Sequence, residues 1–200
     1  MTEEALVKAA QRGDEDAFEE LVRRYEKKVY ALSLRLCGNS EDAQEAAQEA
    51  FLSAWQGLKF FRGEASFSTW LYRLTSNAAI DLLRRRKAPA LSLEDEEAPI
   101  DLPDPGPTPE EAAERRELRQ AIEAGLAALS VEHRQVLVLR EMHQLSYEEI
   151  ADVLALDVGT VKSRISRGRK KLRNFLVERG NFSPPPASKE TKKTGKEGRS

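Results

Sequence analysis

Cysteine and histidine are nearly missing from this chain of 200 residues, which has only Cys37, His133 and His143. One cysteine cannot close an internal disulfide, and three such widely separated residues do not form a zinc cluster. Cys37 follows Leu36 in an apolar helical stripe and is expected to be a buried structural thiol. No apolar run approaches the length of a membrane span. The opening stretch MTEEALVKAA has neither the basic start nor the apolar segment of a signal peptide, so a cytoplasmic protein without membrane insertion is expected. Period-two runs of β-branched residues are also absent, which argues against a sheet. There is no phosphate-cradling glycine loop and no HExxH. The acidic pairs fall at helix starts or in one acidic stretch, where capping and solvation account for them. Neither catalysis nor a cofactor is expected.

What is present is charge, at 33% of residues, and its distribution is uneven. Residues 1–87 carry 14 basic and 14 acidic side chains, 88–113 carry 0 and 8, 114–182 carry 13 and 10, and 183–200 carry 5 and 2. Six prolines also fall between Ala88 and Ala113. Such a composition cannot bury a core and favours extended chain. The predicted organisation is all-α: a helical domain over 1–87, a flexible acidic proline-rich linker over 88–113, a second helical domain over 114–182, and a disordered basic tail over 183–200.

Helical periodicity runs through both domains. Phe18, Leu21, Val22, Tyr25, Val29, Leu32 and Leu36 recur every three or four residues, as do Ala43, Ala46, Ala50, Ala54 and Leu58. Thr-Pro-Glu-Glu at 108–111 reads as a helix start, with proline at the first helical position. Residues 145–172, LSYEEIADVLALDVGTVKSRISRGRKKL, predict a short helix capped by Ser146 and Glu149, a tight turn near Ala155 to Asp157, and a longer helix. That is helix-turn-helix spacing. Ile150, Ala151, Leu154 and Leu156 should pack on Val161, Ile165 and Leu172. Thr160, Lys162, Ser163, Arg164, Arg167 and Lys170 then lie mostly off the buried stripe. Val158 to Lys171 holds six basic residues and no acidic one, as suits a helix that enters a major groove.

Five of the thirteen aromatic residues crowd between Phe60 and Tyr72, and four consecutive cations follow at Arg84 to Lys87. On a helix from about Ser66, residues Phe67, Leu71, Leu74, Ala78 and Leu82 form one stripe. Trp70, Arg73, Asn77 and Arg84 form another, roughly 100° away. The second stripe offers a ring for stacking, an amide for a base edge and guanidinium groups for phosphate. Unpaired bases suit it, since duplex DNA hides base faces.

Three segments together, EDAQEAAQEAFLSAW (41–55), FRGEASFSTWLYRLTSNAAIDLLRRRK (61–87) and residues 129–173, resemble regions two and four of an extracytoplasmic-function sigma factor of bacterial RNA polymerase. The resemblance implies a dissociable initiation subunit that is not an enzyme. It would bind core polymerase at the clamp of the largest subunit and the flap of the second largest, and promoter DNA as duplex and as single strand. An anti-sigma factor is a further partner the resemblance allows. The family's clamp-binding helix falls on Glu45, Gln48 and Glu49, with Trp55 beyond; Asp42, Glu45 and Glu49 would form one negative edge at i, i+3 and i+7.

By the same resemblance, the minus-ten strand would meet the loop from Phe61 and Arg62 to Phe67, then Trp70, Arg73, Asn77, Arg84 and Arg85. The minus-thirty-five duplex would meet Thr160, Lys162, Ser163, Arg164, Arg167 and Lys170. Ala46 and Ala47 stand where the family usually has larger aliphatics. Ala155 occupies a turn position where glycine is frequent, and Gly168 interrupts the recognition helix at up to about 1 kcal/mol. Two other readings remain at this point: a regulator that binds duplex DNA without polymerase, and an enzyme.

Overall fold

The computed structural model describes residues 1–86 and 109–179, of which 109–112 are described as backbone only. Of the expected extended linker over 88–113, residues 88–108 lie outside the described residues, and so does the basic tail over 183–200. The described residues form eight α-helices and contain no strand. The first body comprises α1 (Glu3–Gln11), α2 (Glu15–Cys37), α3 (Ser40–Gly57) and α4 (Phe67–Arg86), with a 3₁₀ turn at Leu58–Phe60. The second comprises α5 (Pro109–Ala127), α6 (Val131–Leu137), α7 (Tyr147–Leu154) and α8 (Val158–Glu178). A π-helical turn, Val138–Met142, follows α6. Helix α5 begins at Pro109, so residues 109–113 are helical and not part of an extended linker.

Local chemistry sets most helix ends. Asp14, Asn39, Ser146 and Asp157 each accept a backbone N–H of the first turn that follows. Gly38 closes α2 in the left-handed region at φ 83°. Ser146 and Glu149 form the expected capping box. Ala155 closes α7 with φ 52°, a conformation in which its Cβ crowds the backbone. Packing at Gly168 is tight: a Cβ there would lie 3.1 Å from Leu137 Cδ1, where α6 meets α8.

Leu21, Val29, Ala50, Ala54, Leu58 and Leu71 belong to a core buried within the first body. A second apolar cluster is continuous across both bodies, joining Leu32, Leu36, Tyr72 and Leu82 to Val136, Leu139, Ile150 and Val153. Polar contacts reinforce this junction. Arg134 donates through Nη1 to Leu36 O at 2.9 Å and through Nη2 to Ala127 O at 2.8 Å, so one guanidinium meets the C-terminal carbonyls of α2 and α5. The Tyr72 and His143 rings lie 4.6 Å apart. Cys37 is buried, and desolvation together with Asp42 pushes its thiol up to about 12.

Candidate nucleic-acid and polymerase interfaces

A cleft of about 220 Å³ opens between the loop after the 3₁₀ turn and the first half of α4. Phe61, Arg62, Trp70 and Arg73 line it, so four of the residues expected to meet a single strand come together. Phe61 and Trp70 are half-buried, with ring centroids 4.9 Å apart. Gly57 leaves room for the indole, since a Cβ there would stand 3.3 Å from Trp70 Cζ2. Asn77 is exposed on the same stripe of α4 but outside the cleft, and the exposed Arg84 and Arg85 lie further along the helix.

Phe67 departs from the expectation. It is only 4% exposed, with its ring 5.5 Å from Tyr25, so it anchors the start of α4 in the core and presents no face to a base. The cleft also has contributors that were not among the expected strand contacts. Phe60 is 73% exposed at its rim, and Asp152 with Val153 reach it from α7 of the second body. Sequence adjacency to Phe61 could have pointed to Phe60; nothing local points to Asp152.

On α3, Glu45, Gln48 and Glu49 are exposed as expected. Asp42 is not, and its place on that edge is corrected: it is 1% exposed, accepts from Asn39 Nδ2 at 2.8 Å, and pairs with Arg86 at 2.6 Å. The first turn of α3 faces the end of α4, which turns this carboxylate inward. Leu52, exposed and three residues beyond Glu49, takes its place on the edge. Trp55 is half-buried, tilted against Phe18 at 4.9 Å.

Along α8, Lys162, Arg167 and Lys170 are exposed, while Thr160, Ser163 and Arg164 are half-buried. Four of these have partners inside the fold, Lys162 with its Nζ 5.6 Å from the centroid of the Tyr147 ring. Thr160 donates its hydroxyl to Asp157, Ser163 Oγ donates to Thr160 O at 3.0 Å, and Arg164 pairs with Glu132 at 3.3 Å. Bonds from Thr160 hold the Asp157 carboxyl below the usual carboxylate range.

Residues 21–88 match the sigma-70 region 2 family and residues 119–172 match sigma-70 region 4. The ECF RNA polymerase sigma factor SigW of Bacillus subtilis is 38% identical over 177 residues, covering 85% of this chain and 94% of that protein. The chain belongs to the extracytoplasmic-function sigma factors. A solved structure of CnrH in complex with the cytosolic domain of CnrY is 28% identical with TM-score 0.65, covering 87% of this chain and 96% of that one. The sigma factor RpoE of Bartonella quintana, solved with the anti-sigma factor NepR, is alike in fold at TM-score 0.64 and 22% identity, covering 80% of this chain and 96% of that one.

As a sigma factor, this protein recognises promoter DNA as an initiation subunit of RNA polymerase. Among the described residues, no helix is long and apolar enough to cross a membrane, and no cluster of His, Cys, Asp or Glu could hold a metal ion. The sigma factor also carries an apolar groove of about 420 Å³ between α5, the π-turn and α8, walled by Ile122, Leu126, Met142, Leu172 and Leu176.

Proposed function

We propose that the Phe61–Trp70 cleft receives the unpaired minus-ten strand of a promoter, and that α8 reads the minus-thirty-five duplex. The ring pair beside Arg62 and Arg73 carries this reading. Stacking contributes about 1–3 kcal/mol per base and tolerates any base, while guanidinium groups hold phosphate. Asn77 offers an amide to a base edge one turn further on, and Arg84 and Arg85 extend the phosphate track. Lys162, Arg167 and Lys170 face the duplex; Ser163, Arg164 and the start of α8 at Thr160 support them.

Glu45, Gln48, Glu49 and Leu52, with Trp55 beyond, dock on the polymerase clamp. The apolar groove of the second body accepts an apolar segment of the flap. The first domain ends near residue 87 and the second starts at Pro109, with the acidic linker between them and the basic tail after 182. The protein works in the cytoplasm, supplies no chemistry of its own, and has an anti-sigma polypeptide as a further partner. Because α7 stands at the cleft, a strand enters only when α7 withdraws. The closed arrangement is therefore the resting form.

Permanganate reactivity of unpaired thymines in the holoenzyme tests the reading. Trp70→Ala should form fewer open complexes on duplex promoter and recover most of the loss on a template mismatched across the minus-ten region. Wild-type opening by a folded Trp70→Ala, Asn77→Ala protein would refute it.

A further inference from the structure

Helix α1 ends at Gln11, whose amide reaches across to the segment that opens the single-strand cleft. Gln11 Nε2 donates to Leu58 O at 3.1 Å and to Phe61 O at 2.7 Å. Two carbonyl acceptors require the NH₂ end of the amide at this place. They are also the two ends of the 3₁₀ turn, whose own closing bond runs from Phe61 N to Leu58 O at 3.0 Å. Leu58 is held in the core at 1% exposure, whereas Phe60 stands out at 73%. Within the turn, Gln11 is thus the polar tie on the side that continues into the cleft.

Beyond Phe61 the chain crosses Gly63, exposed at φ 73°, and is caught again at Ser66, whose Oγ accepts from Thr69 N at 3.1 Å. Residues 62–65 are therefore suspended between the Gln11 bond and the start of α4. They form part of the cleft wall. Helix α1 lies outside the stretch matched by either family region.

We propose that Gln11 is a positioning residue for promoter readout. Its amide fixes the carbonyls of Leu58 and Phe61, and so sets where Phe61, Arg62 and the loop to Ala65 meet the unpaired strand. Gln11 itself touches no base. The assignment rests on the minus-ten reading of the cleft. A purely structural tie between α1 and the turn would change thermal stability and leave base preference alone; a positioning residue changes preference at constant core affinity.

The test uses holoenzyme reconstituted from the full-length chain and core polymerase, presented with a randomised single-stranded DNA library and read by sequencing. Wild type should enrich a short motif. Gln11→Glu keeps the shape but faces two carbonyls with an acceptor. It should flatten the preference at one or two positions by about three- to tenfold. Gln11→Lys, again a donor, should restore the motif. Should the Glu variant not fold, Gln11→Ala is read in its place. A wild-type motif at wild-type depth from Gln11→Glu or Gln11→Ala overturns the proposal, and so does equal loss in the Lys variant. A wild-type holoenzyme that enriches no motif would instead remove the minus-ten reading on which the proposal stands.

Discussion

The Thr69 hydroxyl donates to Glu149 Oε1 at 3.2 Å, joining the first turn of α4 to the first turn of α7 across eighty residues of chain. Glu149 Oε2 at the same time accepts from Ser146 N at 2.8 Å and closes the capping box. One carboxylate thus starts α7 and holds it over the Phe61–Trp70 cleft. Asp152, one turn further along α7, then places a carboxylate, beside that of Glu64, in a cleft also lined by Arg62 and Arg73.

Separating the bodies should free the cleft. Val153 is 2% exposed within the shared apolar cluster, so Val153→Asp places a charge in the junction without adding a cation to the cleft. The variant should enlarge the radius of gyration by small-angle scattering. It should also raise the free chain's affinity for single-stranded DNA, about tenfold for each 1.4 kcal/mol of closure removed. An unchanged radius and affinity would show that closure does not limit access.

Acid should loosen the same junction through His143. Burial, followed by the charges of Arg35 and Lys28, lowers its pKa from the ordinary 6.5 to about 4. Well above pH 6.5 the ring is neutral in both states and contributes no pH dependence. Between 6.5 and 4 only the separated or unfolded chain takes up the proton. Stability therefore falls with pH in this window, by up to about 1.4 kcal/mol per unit. His143→Phe should remove this component, measured as melting temperature against pH for both proteins.

Ala155→Gly should stabilise the second body by about 0.5–1 kcal/mol, because glycine relieves the left-handed strain and gives back part of the gain as unfolded-state entropy. Thermal unfolding would register a rise of a few degrees. Duplex binding should be unaffected, since the turn's backbone is unchanged.

Charge reversal at Glu45 and Glu49, or Leu52→Asp, should weaken association with core polymerase at unchanged melting temperature. Asp42→Ala should do the opposite. Removing the Arg86 pair and the bond that the Asp42 carboxylate accepts from Asn39 Nδ2, while the Asn39 cap on the Asp42 backbone N–H stays, should cost about 1–3 kcal/mol of stability, with core affinity retained in the folded fraction. Competition binding beside calorimetry separates the two effects.

On α8, Arg167→Ala and Lys170→Ala distinguish binding to bases from binding to phosphates. If the side chain holds a phosphate, its removal should weaken all sequences alike and reduce the salt slope by about one. If it reads a base edge, removal should cost about 1–3 kcal/mol and alter the preferred sequence. Titrations at several salt concentrations give both quantities.

Helices, caps and the turn near Ala155 were legible in the sequence because they depend on residues three or four apart: Ser146 with Glu149, or the stripe through Leu21 and Val29. The crowding of Phe61, Arg62, Trp70 and Arg73 was legible for the same reason, since one loop and two helical turns bring them together. What lies across from a helix is not encoded in its period. The α4 stripe of Phe67, Leu71 and Leu82 left Thr69, Tyr72 and Ser76 unexplained, yet all three are buried in the folded chain. Thr69 and Tyr72 meet Glu149 and His143 of the second body. Asp42 looked like the start of an acidic edge by spacing and became a buried partner of Arg86 by the packing of α3 on α4. Gln11 carried no local signal, because its two acceptors lie 47 and 50 residues away. Where helices begin and end, which face of each is apolar, and which stretches carry charge for nucleic acid are all written in near neighbours along the chain. Which polar groups those apolar faces trap, and which helix stands over the cleft, came from packing alone, because these contacts join residues whose separation in sequence has no period.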